Sequence, residues 1–303
     1  MKQPQKLIAA CLQHACGEDP KLNLESSIAK IESAATQKAQ LIVLPELHLT
    51  PYFCQQQSSH WFAAAETIPG PTTDRLSALA KKLKVVIVAS IFEKRQPGVF
   101  HNTAVVLEKD GSIAGIYRKM HIPQDPGFEE KFYFAPGDLG FNPIPTSLGK
   151  LGVLICWDQW FPEAARIMAL KGANCLIYPT AIGWTPSDPI DSRSQQLDAW
   201  QVIQRSHSVA NHLPVLSCNR IGLETTADES SHIQFWGSSF MTDHQGQMLA
   251  QANRDEEEIL IAELDFAATE HAHLIWPFFR DRRVEAYADL LHLSLNPGSG
   301  EET

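Results

Sequence analysis

Three reactive side chains each close a run of apolar residues. "LIVLPE" ends in Glu46, "IAGIYRK" in Lys119 and "LGVLIC" in Cys156. Short apolar runs of this kind read as strands, and in α/β sheets functional sites collect at the carboxyl ends of strands. A carboxylate, a cation and a thiol are the parts of a cysteine-nucleophile site. A free thiol is mostly un-ionised at neutral pH. A neighbouring Lys⁺ favours the thiolate, as does the positive end of a helix, and Pro162 is a natural early helical residue after Cys156. A carboxylate can take the thiol proton and return it to a leaving amine. The lysine balances the oxyanion of a tetrahedral intermediate, with the backbone N–H of Trp157 as a second donor.

Singly, each residue has an ordinary reading. A lone cysteine at the end of an apolar run is usually a core residue, and Cys175 and Cys218 are read that way. A Glu after a strand is usually solvated, and a Lys there usually lies on the surface. Spacing alone does not bring the three together, so at this level both readings of Cys156 stand. Other chemistries lack their motifs. There is no G-x-S-x-G elbow, no H-E-x-x-H among the twelve histidines, no C-x-x-C pair and no Gly-rich phosphate loop. His207 and His212 are five apart, a poor spacing for one helix face, and no metal site is expected.

The elements that must position these residues alternate between strand and helix. Leu7–Leu12 reads as a strand, and Leu24, Ile28, Ile31 and Ala35 form a helical stripe. Thr72–Leu83 reads as a helix, followed by the strand "VVIVASIFE". Two further strands meet at Asp110-Gly111, a strong hairpin turn. The polar, Pro- and Gly-rich stretch 121–138 is long for a plain connection, as functional loops often are. After the Cys156 segment come the strand "NCLIYPTA", a helix over Ser192–Asn211, the strand "LPVLSCNRIG", two more strands and a helix over Arg280–Leu291. Mixed elements without a linker predict an α/β class, with residues 1–293 as a single domain and 294–303 as a disordered tail. The element order of the first half is loosely echoed after residue 150.

The net charge of −10 argues against sequence-independent nucleic-acid binding, which needs Lys and Arg to displace counterions. No run approaches the ~18 apolar residues that span a membrane. Ile8-Ala9-Ala10-Cys11 has the look of a lipoprotein cleavage box, but the apolar run before it is too short for a signal segment. Six cysteines without a pairing pattern point to a reducing, cytoplasmic setting.

With these residues in view, the chain resembles the nitrilase (carbon–nitrogen hydrolase) superfamily. The matching segments are "LIVLPEL" around Glu46, "YRKMHIP" around Lys119 and "GVLICWDQWFPEAAR" around Cys156. The resemblance implies a four-layer α-β-β-α sandwich, a Glu-Lys-Cys triad and no metal or organic cofactor. Within the superfamily it is most similar to the N-carbamoylputrescine amidohydrolase branch, through "PYFCQ", "GFEEKFYFAPGD", "YPTAIGW", "FWGSSF" and "WPFFRDRR". That branch implies a small cationic carbamoylated amine as substrate, and by motif match it places Glu130 beside the catalytic lysine. Phe128, Trp157 and Trp184 are then the expected aromatic walls. Plant-like members carry an acid two positions after "PTAIG", where this chain has Trp184-Thr185. Asp188 is the expected substitute, with Asp191 behind it. The superfamily also implies a homo-oligomer. The nearest alternatives are a β-ureidopropionase-like enzyme, an aliphatic amidase or a nitrilase. A non-catalytic binding protein of the same fold is the alternative from another class.

Overall fold

The computed structural model describes residues 4–295. The tail expected over 294–303 therefore lies, beyond Leu295, outside the described residues. Two six-stranded sheets carry the chain. The first is ordered β15-β1-β2-β3-β4-β5, from β1 (Lys6–Gln13), β2 (Leu41–Val43), β3 (Val86–Gln96), β4 (Val99–Leu107), β5 (Ile113–Arg118) and β15 (Glu258–Asp265). The second is ordered β14-β13-β10-β8-β7-β6, from β6 (Ile144–Thr146), β7 (Gly149–Val153), β8 (Cys175–Pro179), β10 (Val215–Cys218), β13 (Phe240–Thr242) and β14 (Met248–Gln251). In each sheet the central pairs run parallel and the flanking pairs antiparallel. The echo between the two halves of the sequence is thus a pair of similar sheets. β9 (Gly183–Trp184), β11 (Ile221–Thr225) and β12 (His232–Trp236) form a small third sheet.

The apolar runs are continuous because both faces of each sheet are covered. In the first sheet, alternate residues divide between two interiors. Ala9, Cys11, Val86, Val88 and Val106 face the second sheet and share a core with Leu151, Val153, Ile177 and Cys218. Ala10, Leu12, Ile87, Ala89 and Val105 face outward onto helices α1 (Pro20–Thr36) and α2 (Pro71–Leu83). On the far side, Ala164, Ala165 and Met168 of α3 (Pro162–Leu170) and Trp200 of α4 (Arg193–Asn211) cover the second sheet. The layers are therefore α-β-β-α, as expected. Among the described residues no helix is long and apolar enough to cross a membrane.

Local chemistry sets the boundaries. Asp19 caps α1 by accepting from the Lys21 N–H, and Pro20 occupies its first turn. The hairpin at Asp110-Gly111 closes with the Gly111 N–H donating to Glu108 O, Gly111 taking a φ of +89°. The C-terminal region departs from expectation. The helix is α5 (Phe266–Ile275), capped by Asp265, whose side chain accepts from the Ala268 N–H. Asp265 is also the last residue of β15, so no loop residues announce the helix. His271 and His273 lie in α5. Over Arg280–Leu291 there are only the short 3₁₀ turns Val284–Ala286 and Ala288–Leu291. Val284, Leu290 and Leu291 are exposed there, so no buried face pays the cost of nucleating a helix.

Candidate active site

β7 ends at Val153, and Cys156 opens a 3₁₀ turn, Cys156–Trp160, before α3 starts at Pro162. The nucleophile candidate is thus separated from the α-helix by one tight turn. Cys156 has a φ of +39°, a region in which a side chain is strained. Asp158 holds the turn in that shape. Its Oδ2 accepts from the Ile155 N–H at 3.0 Å and the Tyr117 hydroxyl at 2.8 Å, and its Oδ1 accepts from the His121 N–H at 3.1 Å and lies 2.7 Å from His121 Nδ1. One buried carboxylate therefore joins the turn to the end of β5 and to the loop after Lys119.

Glu46 and Lys119 follow β2 and β5 of the opposite sheet, and the two sheets present all three residues at one place. Lys119 Nζ donates to Glu46 Oε1 at 2.8 Å and to both oxygens of Glu130, at 2.9 and 2.7 Å. Asn102 Nδ2 also donates to Glu46 Oε1, at 2.6 Å, and the Tyr52 hydroxyl to Glu130 Oε1, at 2.6 Å. Glu46, Lys119 and Glu130 are all fully buried. Cys156 lies close enough for each of the three to act electrostatically on its thiol. Of the four carboxylate oxygens around Lys119, only Glu46 Oε2 has no hydrogen-bond partner among the described residues.

Burial alone would lower the Lys119 ammonium, but the charges of Glu130 and Glu46 outweigh it and hold Lys119 well above its ordinary value. Burial pushes Glu130 up to about 7 against the pull of Lys119. Burial and then Glu46 push the Cys156 thiol well above its ordinary range, and Lys119 does not reverse this. Lys119 does favour the thiolate, as the sequence suggests, but burial and Glu46 outweigh it. One ammonium already faces two carboxylates, so a thiolate here would be a further unbalanced negative charge. A thiol held up in this way needs a base if it is to act as a nucleophile.

Cys156 and Glu130 line a cavity of about 330 Å³. Phe128 and Trp157 line it as expected, joined by Trp160 and Trp236. Trp184 does not line it. Its ring packs edge-on against Trp236 at 5.3 Å and its Nε1 donates to Arg193 O, because β9 turns it into the wall behind. Asp188 lines the cavity, but its oxygens already accept from the Thr185 N–H and hydroxyl and from Gln196 Nε2. Asp191 is exposed and off the lining. Asp125, which sequence reasoning missed, also lines the cavity, and among the described lining residues there is no Lys or Arg.

A second group escaped the sequence reading. Arg220 is fully buried and donates through Nη2 to the carbonyls of Glu46 and Leu47, at 2.8 and 2.9 Å. Through Nη1 it reaches Thr50 O at 3.2 Å and Glu224 Oε1 at 2.8 Å. Glu224 Oε2 in turn accepts the Tyr52 N–H. The criterion that picks out Glu46, a polar residue just past an apolar strand, also picks out Asn219-Arg220 after β10.

The chain matches the family model described as carbon–nitrogen hydrolase over residues 8–273. It belongs to the carbon–nitrogen hydrolase family. It is therefore a hydrolase acting on carbon–nitrogen bonds in amides. Among its relatives are a citrullinase of Francisella tularensis, 44% identical over 93% of this chain and 97% of that one, and an N-carbamoylputrescine amidase of Solanum lycopersicum, 42% identical over 97% and 98%. A crystal structure of a carbon–nitrogen hydrolase from Helicobacter pylori superposes with a TM-score of 0.93 at 50% identity, covering 96% of this chain and all of that one. The nitrilase-type sandwich and the hydrolase class are thus those of the family.

Proposed function

We propose that this hydrolase converts N-carbamoylputrescine to putrescine, carbon dioxide and ammonia through Cys156. One observation carries the reading: the buried Lys119, shared by Glu46 and Glu130, stands beside Cys156 at a cavity whose charged lining residues are all acids. Glu46 is the base, since its Oε2 is the unengaged oxygen. It takes the thiol proton as Sγ bonds to the carbamoyl carbon. The oxyanion develops against Lys119 and the Trp157 N–H. Glu46 returns the proton to the departing nitrogen as the carbon–nitrogen bond breaks, leaving a carbamoyl thioester. Glu46 then activates water, which releases the thiol and a carbamic acid that decomposes to an amine and carbon dioxide. Either order of nitrogen departure gives the same products. Glu130, tied to Tyr52, holds the ammonium in place. Phe128, Trp157 and the cavity acids, Asp188 among them, receive the aliphatic ammonium arm.

A second reading is citrulline, favoured by the identity to the citrullinase. Citrulline adds an α-carboxylate to the same carbamoylated chain, and a carboxylate suits a cavity with Lys or Arg, which this lining lacks. Ammonia release from N-carbamoylputrescine, citrulline, N-carbamoyl-β-alanine and a simple nitrile separates the readings. The first is expected to give the highest kcat/KM, and its failure to turn over refutes the assignment. Cys156→Ala is expected to lower kcat at least about 10³-fold. Unchanged activity in that variant removes Cys156 from the mechanism. Within this reading the enzyme is a cytoplasmic homo-oligomer.

A further inference from the structure

We propose that Asp125 is the specificity-determining carboxylate for the distal ammonium of the substrate, selecting a carbamoylated amine over a carbamoylated amino acid. The proposal rests on the hydrolysis of a carbamoylated amine argued above and names the residue that recognises its far end. Asp125 sits in the loop after Lys119, in a tight turn closed by the Phe128 N–H donating to Asp125 O at 2.8 Å and held between Pro123 and Pro126. Gly127, at a φ of +82°, brings this turn against the opposite loop. A Cβ there would stand 2.9 Å from Thr185 Cγ2, three residues before Asp188. The cavity mouth is thus built from two loops that each bring a carboxylate.

The two acids differ in what they have free. Asp188 spends both oxygens on Thr185 and Gln196. Asp125 Oδ1 is buried and has no hydrogen-bond partner among the described residues. Burial raises the Asp125 carboxyl, Glu129 and Asp188 raise it further, and only Lys119 opposes them. A part-buried acid beside another acid, with no ion-pair partner and no Lys or Arg on the cavity wall among the described residues, is short of direct positive charge. An aliphatic ammonium supplies both the charge and the donors, and the lining residues Trp160 and Trp236 offer apolar surface to its methylene chain. An α-carboxylate at the same place would face Asp125 and Asp188 directly.

The test compares N-carbamoylputrescine with N-butylurea, which keeps the carbamoyl group and four-carbon chain but has no charge, and adds citrulline. In the wild type the ratio of kcat/KM for N-carbamoylputrescine to that for N-butylurea is expected to be large. In Asp125→Asn that ratio is expected to collapse about 10- to 100-fold, chiefly through KM, with Asp125→Glu restoring part of it. The discrimination against citrulline is expected to weaken in parallel. A ratio unchanged in Asp125→Asn, with the wild type hydrolysing N-carbamoylputrescine, overturns the role of Asp125 and leaves the function standing. Equal losses on both substrates in both variants make Asp125 a loop-structure residue and also overturn it. No turnover of N-carbamoylputrescine by the wild type refutes the function itself.

Discussion

At the scale of single residues, charge balance around Lys119 decides the chemistry. Glu46, Glu130 and Cys156 share one ammonium, so at rest the thiol keeps its proton. Removing a carboxylate should relieve it. Glu130→Gln is expected to bring the inflection of iodoacetamide inactivation down in pH, from above the ordinary cysteine range, while kcat falls on the order of 10²-fold as Lys119 loses its anchor. A wild-type inflection near neutrality would refute the neutral thiol. The same carboxyl gives a stability test. Its folded value, about 7, lies above the ordinary 4.5, so the folded state binds the proton more tightly than the unfolded state. Its contribution is full below the ordinary value and is lost as pH rises through the folded one. Urea midpoints should therefore move in favour of Glu130→Gln, relative to the wild type, between those two values.

At the scale of elements, the site depends on turns that follow strands, and one clamp links the turn after β2 to the segment after β10. Arg220 binds the carbonyls of Glu46, Leu47 and Thr50, while its partner Glu224 holds Tyr52, which bonds Glu130. Arg220→Met leaves Glu224 and three carbonyls without their donor and is expected to destabilise the fold by about 3–5 kcal/mol. Arg220→Lys keeps the charge but loses the fork, so kcat should fall about 10- to 100-fold with KM nearly constant. Loss of stability with kcat per folded molecule intact would make Arg220 structural only.

The same scale explains what could be read from the sequence. The long apolar runs of β1, β3 and β4 and the capped α1 were legible, because each carries its own period or cap. So was the juxtaposition of polar residues with strand ends, from which Glu46, Lys119 and Cys156 emerged. The clamp was not: its strand-end position marks Arg220, but three of its partners are main-chain carbonyls about 170 residues away, which spacing does not report. Nor was the role of Asp158, because two of its donors come from β5 and the loop beyond it. Trp184 was read as a cavity wall from the motif, and only the pairing of β9 with β12 reveals which way it faces. The direction of the Cys156 shift needed burial, which spacing does not report.

At the scale of the whole molecule, the two sheets close each other's inner faces, yet the C-terminal region remains uncovered. Leu274, Ile275 and Trp276 at the end of α5 are more than half exposed, and Phe278 beside them is 38% exposed. α3 is a near neighbour, since Ala169 and Ala173 line a groove with His273 and Phe279. Contiguous exposed apolar residues of this kind mark association surfaces, so the homo-oligomer proposed above is expected to form through this face. Light scattering at micromolar concentration is expected to give at least the mass of a dimer. The double substitution Leu274→Lys, Trp276→Glu places two charges in that face and should shift the mass toward one chain, while leaving β1, β7 and the Cys156 turn untouched in the interior. A wild-type mass of a single chain would refute the assembly, and a double variant that stays associated would move the interface elsewhere on the surface.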